Sequence, residues 1–371
     1  MFSSFVFFNK AFARNSGRHK EVIIHAGLNK TGTSSIQQTC FANRKLLIRQ
    51  GVLFPGCWKP NHSLPLYSAF CDHPEKFHIN VREGLTLQEI RERDKKFLKE
   101  LEAEITKIEW NKLILSGEAV SLLTKENLDK LKNFLMQLVA GDVRFRIIIF
   151  VRHPVPWGAS FVQQRVKSGS SLDIAREDLF KAIEDLYRSR IEKFLHVFGR
   201  ESVSVTSFEA AIKHSVGLIG HFFSLVGIPE ETVREMKEKR TNERVSAAAI
   251  EIMDYINRKK PIIVDGKLNP ERKRFDLVPF YQIRGPKFTL SPEEERTIWE
   301  TSRKAVIWLK DNFGINYSDE SSVERQVDQA DQRIITEETI EDIVAVYKNL
   351  PDVMKEMLFE YVIEKLSGSL R

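Results

Sequence analysis

The stretch from Glu21 to Gln38, EVIIHAGLNKTGTSSIQQ, limits what this chain can fold into more than any other. Val22, Ile23 and Ile24 form an apolar, β-branched run too short for a helix, which predicts a buried strand. Ser34 to Arg49 carries the spacing of an amphipathic helix stopped by Gly51. Between them lies a loop, Ala26 to Thr33. The first amides of a helix have no intrahelical partner and sit at the positive end of its dipole, so a loop that feeds a strand directly into a helix is suited to an anion. Gly27 and Gly32 let the backbone close around it. A nucleotide P-loop needs G-x-x-x-x-G-K-[ST]; Gly27 and Gly32 have that separation, but Thr33 stands where the lysine belongs. The lysine is inside the loop, at Lys30.

Two more strand ends point to the same edge. Lys112 to Ser116 (KLILS) reads as a second buried strand, followed by Gly117-Glu118 and a helix from Lys125 to Val139. Arg146 to Val151 (RIIIFV) reads as a third and ends in Arg152-His153-Pro154, with Ser160 eight residues after the arginine. In parallel α/β sheets ligands bind at the carboxyl ends of the strands, so Glu118 and Arg152 are delivered to the edge that carries Lys30. A guanidinium fork with a hydroxyl from the next helix makes a multi-donor site for a phosphate monoester. The Gly- and Pro-rich segment Gly51 to Pro65 reads as a loop leaving the ligand end, with His62 its only histidine.

The strand followed by H-A-G-L-N-K-T-G-T-S-S resembles the 5′-phosphosulfate loop of sulfotransferases that use 3′-phosphoadenosine 5′-phosphosulfate (PAPS). Arg152-x-Pro154 with Ser160 is similar to the element with which that family binds the cofactor's 3′-phosphate. The resemblance covers roughly residues 21 to 317. It implies that Asn29, Lys30, Thr31, Gly32, Thr33, Ser34 and Ser35 hold the 5′-phosphate end and that Arg152 and Ser160 hold the 3′-phosphate. Lys30 would then also serve the leaving group. Glu118 is similar to the catalytic glutamate of heparan-type members and is the first choice for the base that takes the acceptor's proton. His62, in a loop comparable to one that often carries a histidine in bacterial members, is either a second candidate base or a packing residue. Thr206-Ser-Phe-Glu209 departs from the family's R-Y-E-like signature, so Glu209 receives no role. Arg284-Gly285 lacks the lysine of the Arg-Lys-Gly element and stays outside the site. The Asn-Ser likeness at Thr241-Asn242 is faint.

Composition excludes several other classes. At 371 residues, 42% hydrophobic and 29% charged, the chain is an ordinary globular protein. Its net charge of +6 suits a polyanionic ligand but is too evenly spread for nucleic acid. Cys40, Cys57 and Cys71 lack C-x-x-C spacing, so free thiols are expected and no metal. No apolar run approaches about 18 residues, and the Phe5 to Phe8 patch precedes its basic residues, so a cytoplasmic location without a membrane span is expected. The expected fold is a single α/β domain with a mostly parallel central sheet, helices on both faces and a P-loop-like core over residues 21–317. It is preceded by a tail, 1–20, and followed by an acidic linker and a helical extension, 318–371, in which Pro351 breaks a helical period. The expected partner is a small-molecule or carbohydrate acceptor bearing a hydroxyl or amine. Two rivals remain: a P-loop NTPase or kinase, and a binding module that keeps the nucleotide pocket without chemistry.

Overall fold

The computed structural model describes residues 19–139, 141–239, 245–264, 267–273, 275–318 and 336–368. The tail up to residue 18, Thr241-Asn242 and the acidic stretch 319–335 lie outside them.

Five strands make the central sheet: β1 (Lys20–His25), β2 (Val52–Leu53), β3 (Lys112–Ser116), β4 (Val143–Val151) and β5 (Val203–Ser207). Their order is β2-β3-β1-β4-β5, and every pairing is parallel. The fold is therefore α/β. Strand order reverses at β1, whose neighbours β3 and β4 both come later in the chain, and such a switch point opens a crevice at the carboxyl ends of the strands. The Val- and Ile-rich strands alternate between two cores. Val22, Ile24, Leu113, Leu115, Ile147 and Ile149 enter one, while Ile23, Ile114, Ile148 and Phe150 enter the other. The helices Thr33–Ala42 and Gly217–Val226 cover the second face through Ile36, Cys40, Phe222 and Phe223. The first face is covered by Leu87–Lys107, Lys125–Val139, Pro154–Lys167, Arg188–Phe198 and Ala247–Lys259.

Local chemistry sets the helix ends. Thr86 and Ser291 each close a capping box with the glutamate three residues on, Glu89 and Glu294, and Ser246 caps its helix by accepting from the Ala249 amide. The helix expected over Ser34 to Arg49 is broken at Asn43. Its amide group donates to the Thr39 carbonyl at 2.8 Å and the Lys237 carbonyl at 3.1 Å, and its oxygen accepts from the Lys237 amide at 3.0 Å. A side chain that can replace backbone partners ends one helix and starts another, here Arg44–Arg49. The segment Gly51 to Pro65, expected as loop throughout, contains β2 at the sheet edge, and a helix, Ser63–Ser68, starts at its end.

The C-terminal helices Glu337–Lys348 and Asp352–Gly368 are not an appendage on the surface. Val346, Leu350, Met354, Met357, Leu358 and Tyr361 are buried in the core of the first sheet face. Arg284 fastens them: its amide and Nε donate to Asp342 at 2.7 and 2.9 Å, and its carbonyl accepts from Thr339 Oγ1 at 3.0 Å. No described helix is long and apolar enough to cross a membrane.

Candidate active site

The loop after β1 closes on itself before it can close on anything else. Thr31, fully buried, donates from Oγ1 to the Leu28 carbonyl at 2.5 Å, and Thr33 Oγ1 lies 3.4 Å from Thr31 Oγ1. Thr33 Oγ1 also lies 3.5 Å from the Leu28 carbonyl, and Thr33 hydrogen-bonds Glu118 as well. Asn29 is exposed, but its carbonyl and side-chain oxygens accept from Trp157 Nε1 at 3.1 and 3.2 Å, which anchors the loop to the helix Pro154–Lys167. Gly32 is required where it stands. Its φ of +78° is left-handed, and a Cβ there would strike Leu218 Cδ2 and lie 3.2 Å from Phe208 Cε2. Ser34 and Ser35 follow in the first turn of the helix Thr33–Ala42, both half-buried.

Lys30 also has positive φ, +67°, and this turns its carbonyl toward Arg152. Arg152 Nη1 donates to that carbonyl at 3.0 Å and to Ser160 Oγ at 3.0 Å, while the guanidinium lies over the Phe208 ring, 5.2 Å from its centroid. The strand end and the helix serine therefore meet the loop directly. The turn that carries Arg152 is clamped from behind by Glu209, whose carboxylate accepts from the His153 amide at 3.0 Å and from the Tyr317 hydroxyl at 3.1 Å. Glu209 is thus a structural group. Arg284, exposed and tied to Asp342, is one as well.

Lys30 Nζ donates to Gln164 Oε1 at 2.9 Å. Burial lowers its ammonium to about 8; Glu118 works against that shift, and Lys167 and Arg152 add to it by like-charge repulsion. Glu118 opens a short 3₁₀ turn, Glu118–Leu122, after β3. Burial raises its carboxyl above the ordinary range, while Lys30 and a hydrogen bond with Thr33 pull it back down. Lys30 thus stands among two further cations, Arg152 and Lys167, and one carboxylate, Glu118. Gln164 and Lys167, which the sequence reading missed, follow Ser160 at i+4 and i+7 and so share its helix face; that spacing was the available signal.

His62 is fully buried, against Phe54 at 4.5 Å and Trp58 at 5.4 Å between ring centroids. Its Nδ1 accepts the Ser116 amide at 3.1 Å. A backbone N–H can only donate, so Nδ1 carries the lone pair and, with burial lowering the imidazole to about 3, the single proton sits on Nε2. The one basic nitrogen of His62 is already occupied. His25, at the end of β1, is another buried neutral histidine, with Nδ1 2.8 Å from Ser116 Oγ and its pKa lowered to about 3 by burial.

No family model matches the chain, and no curated protein matches it. Among solved structures, the sulfotransferase of Alicyclobacillus acidocaldarius has 17% identity over 65% of this chain and 94% of its own, with a TM-score of 0.39. The sulfotransferase domain of the Synechococcus PCC 7002 olefin synthase has 12% identity over 80% of this chain and 98% of its own, at 0.35. Retinol dehydratase, in complex with androsterone and inactive cofactor PAP, has 14% identity over 81% of this chain and 82% of its own, at 0.33. At this distance the chemistry rests on the residues themselves.

Proposed function

We propose that the protein is a PAPS-dependent sulfotransferase that acts on a hydroxyl or amine of a small-molecule or carbohydrate acceptor. The observation that carries this reading is the pair of hydrogen bonds from Arg152 Nη1 to the Lys30 carbonyl and Ser160 Oγ, which joins two phosphate-binding elements into one site. The donor set fits a nucleotide with phosphates at both ends. Arg152 and Lys167 add like charge around Lys30, and an anion would relieve the repulsion they contribute to its lowered pKa. PAPS supplies the activated sulfuryl group. Amides of Thr31 to Ser35 would hold the 5′-phosphate, and Arg152 with Ser160 the 3′-phosphate. Lys30 would hold negative charge as it grows on the bridging oxygen, which is where electrostatic stabilisation counts most in transfers of this kind. Glu118 would receive the acceptor's proton on a carboxylate oxygen, and the burial that raises its pKa makes that carboxylate a stronger base than an ordinary one. The lone pair His62 commits to Ser116 supports Glu118 over His62 as the base.

A phosphoryl-transfer reading asks for a lysine directly before the loop's last Ser/Thr, and Gly32-Thr33 offers none. Calorimetry separates the two. The protein should bind 3′-phosphoadenosine 5′-phosphate (PAP) far more tightly than AMP or ATP, and Arg152→Ala should weaken PAP by about ten- to a hundredfold, the loss of a charge-assisted contact. Equal affinity for PAP and AMP would remove the 3′-phosphate assignment.

A further inference from the structure

Ser116, the last residue of β3, is held on every polar atom it has. Its amide donates to His62 Nδ1 at 3.1 Å, and its carbonyl accepts from the His62 amide at 2.8 Å and from Gln37 Nε2 at 3.2 Å. Its hydroxyl meets His25 Nδ1 at 2.8 Å. His62 and Ser63 continue the grip beyond it. Their backbone lies so close to Gly117 that an added Cβ would stand 2.9 Å from the Ser63 nitrogen, and Ser63 Oγ accepts from the Ala119 amide at 3.1 Å. The Gly117 amide donates to the His25 carbonyl at 3.1 Å. Glu118 is therefore the one residue from 116 to 119 whose side chain points out of this clamp, toward Thr33 and Lys30.

Both imidazoles are fully buried in the middle of apolar packing, and among the described residues each leaves Nε2 without a hydrogen-bond partner. A buried donor or acceptor without a partner costs stability, so two such groups bonded to one residue need a reason other than packing, which leucine or phenylalanine would serve better. The atoms that do bond meet at one residue, two positions before the carboxylate.

We propose that His62 and His25 are positioning residues that, through Ser116, fix the Glu118 carboxylate against Lys30 and the phosphate loop. The proposal rests on the sulfotransfer reading above. Placement of a base to within a fraction of an ångström matters, because a displacement of about 1 Å can cost about a hundredfold in rate. The clamp reaches Ser116, two residues before Glu118, from three directions: β1 through His25, the helix Thr33–Ala42 through Gln37, and the β2–β3 connection through His62. The same helix and the strand's loop form the phosphate site, so base and cofactor share one frame.

The test pairs PAP affinity with single-turnover release of sulfate from radiolabelled PAPS, with water as acceptor. His62→Leu keeps the volume and removes the acceptor atom; Ser116→Ala, the milder change, removes only the bond to His25; His62→Asn restores an acceptor for the Ser116 amide. Expected are PAP affinities within about threefold of wild type and release slowed about ten- to a hundredfold in His62→Leu and Ser116→Ala, with most of the rate recovered in His62→Asn. Undiminished release by His62→Leu or Ser116→Ala would overturn the proposal while leaving the sulfotransfer reading intact. So would a loss that falls equally on PAP affinity and rate, the signature of a site that has merely loosened. A wild-type protein with no affinity for PAP would instead remove the sulfotransfer reading, and this proposal with it.

Discussion

Lys30 concentrates the demands made on the site, since it has left-handed backbone, a carbonyl given to Arg152 and an ammonium lowered to about 8. The last of these has a sign that can be checked. In the free protein near pH 8 about half of the Lys30 side chains are neutral, and a bound anion raises the pKa, so PAP binding at that pH should take up a fraction of a proton. Calorimetry in buffers of different ionisation enthalpy would report it, and Lys30→Ala should abolish the uptake and nearly all transfer while weakening PAP only moderately. Glu118→Gln should lower single-turnover transfer by about 10² to 10⁴ with PAP affinity unchanged. Wild-type transfer should fall as pH drops through the raised Glu118 pKa, and the variant should lose that limb of the profile. That Lys30, Arg152 and Ser160 meet at one sheet edge was legible in the sequence, because their positions follow from strand ends and a fixed spacing. The state of His62 was not: it depends on which ring nitrogen faces the Ser116 amide, a matter of tertiary packing that no local pattern carries.

At the level of elements, the long signals survived folding well. The strand over Lys112–Ser116, the helix over Lys125–Val139 and the two capping boxes at Thr86 and Ser291 stand where the sequence puts them. What escaped was β2, whose two residues are too short to show any periodicity and owe their conformation to pairing with Lys112 and Leu113. The break at Asn43 escaped for a related reason, since it is made by a partner almost 200 residues away at Lys237. The turn from loop into helix at Gly32 is the element boundary with least tolerance. Gly32→Ala should destabilise the protein by about 1 to 3 kcal/mol, from left-handed backbone alone, with the contact against Leu218 adding to it. Urea unfolding measures that loss, and PAP affinity should fall with it because the amides beyond Gly32 move.

For the whole molecule, the sequence separated residues 318–371 as an extension, and the structure draws the helices from 337 onward into the main core. Composition marked the change in polarity along the chain but could not tell on which body the later helices rest. Fully burying one large apolar side chain is worth about 1.5 to 3 kcal/mol, and Val346, Leu350, Met354, Met357, Leu358 and Tyr361 together are comparable to a typical domain stability of about 5 to 15 kcal/mol. A chain ending before Thr336 should therefore lose cooperative unfolding, as followed by circular dichroism in urea. A truncated protein that unfolds cooperatively within about 2 kcal/mol of the full chain would mean that the core closes without these helices.

The placing of β1 at the centre of the sheet has a consequence for how the protein is made. Both of its partners are synthesised later, β3 about 90 residues on and β4 about 120. On the ribosome the segment Val22-Ile23-Ile24 thus emerges before either partner is made; its β3 edge waits for the chain to grow past Ser116 and its β4 edge for the chain to grow past Val151. A sheet assembled from such distant pairings closes slowly, and an apolar strand waiting for its neighbours is the kind of sequence that chaperones hold. The loop after β1 therefore leaves the tunnel well before the strands that fix its shape.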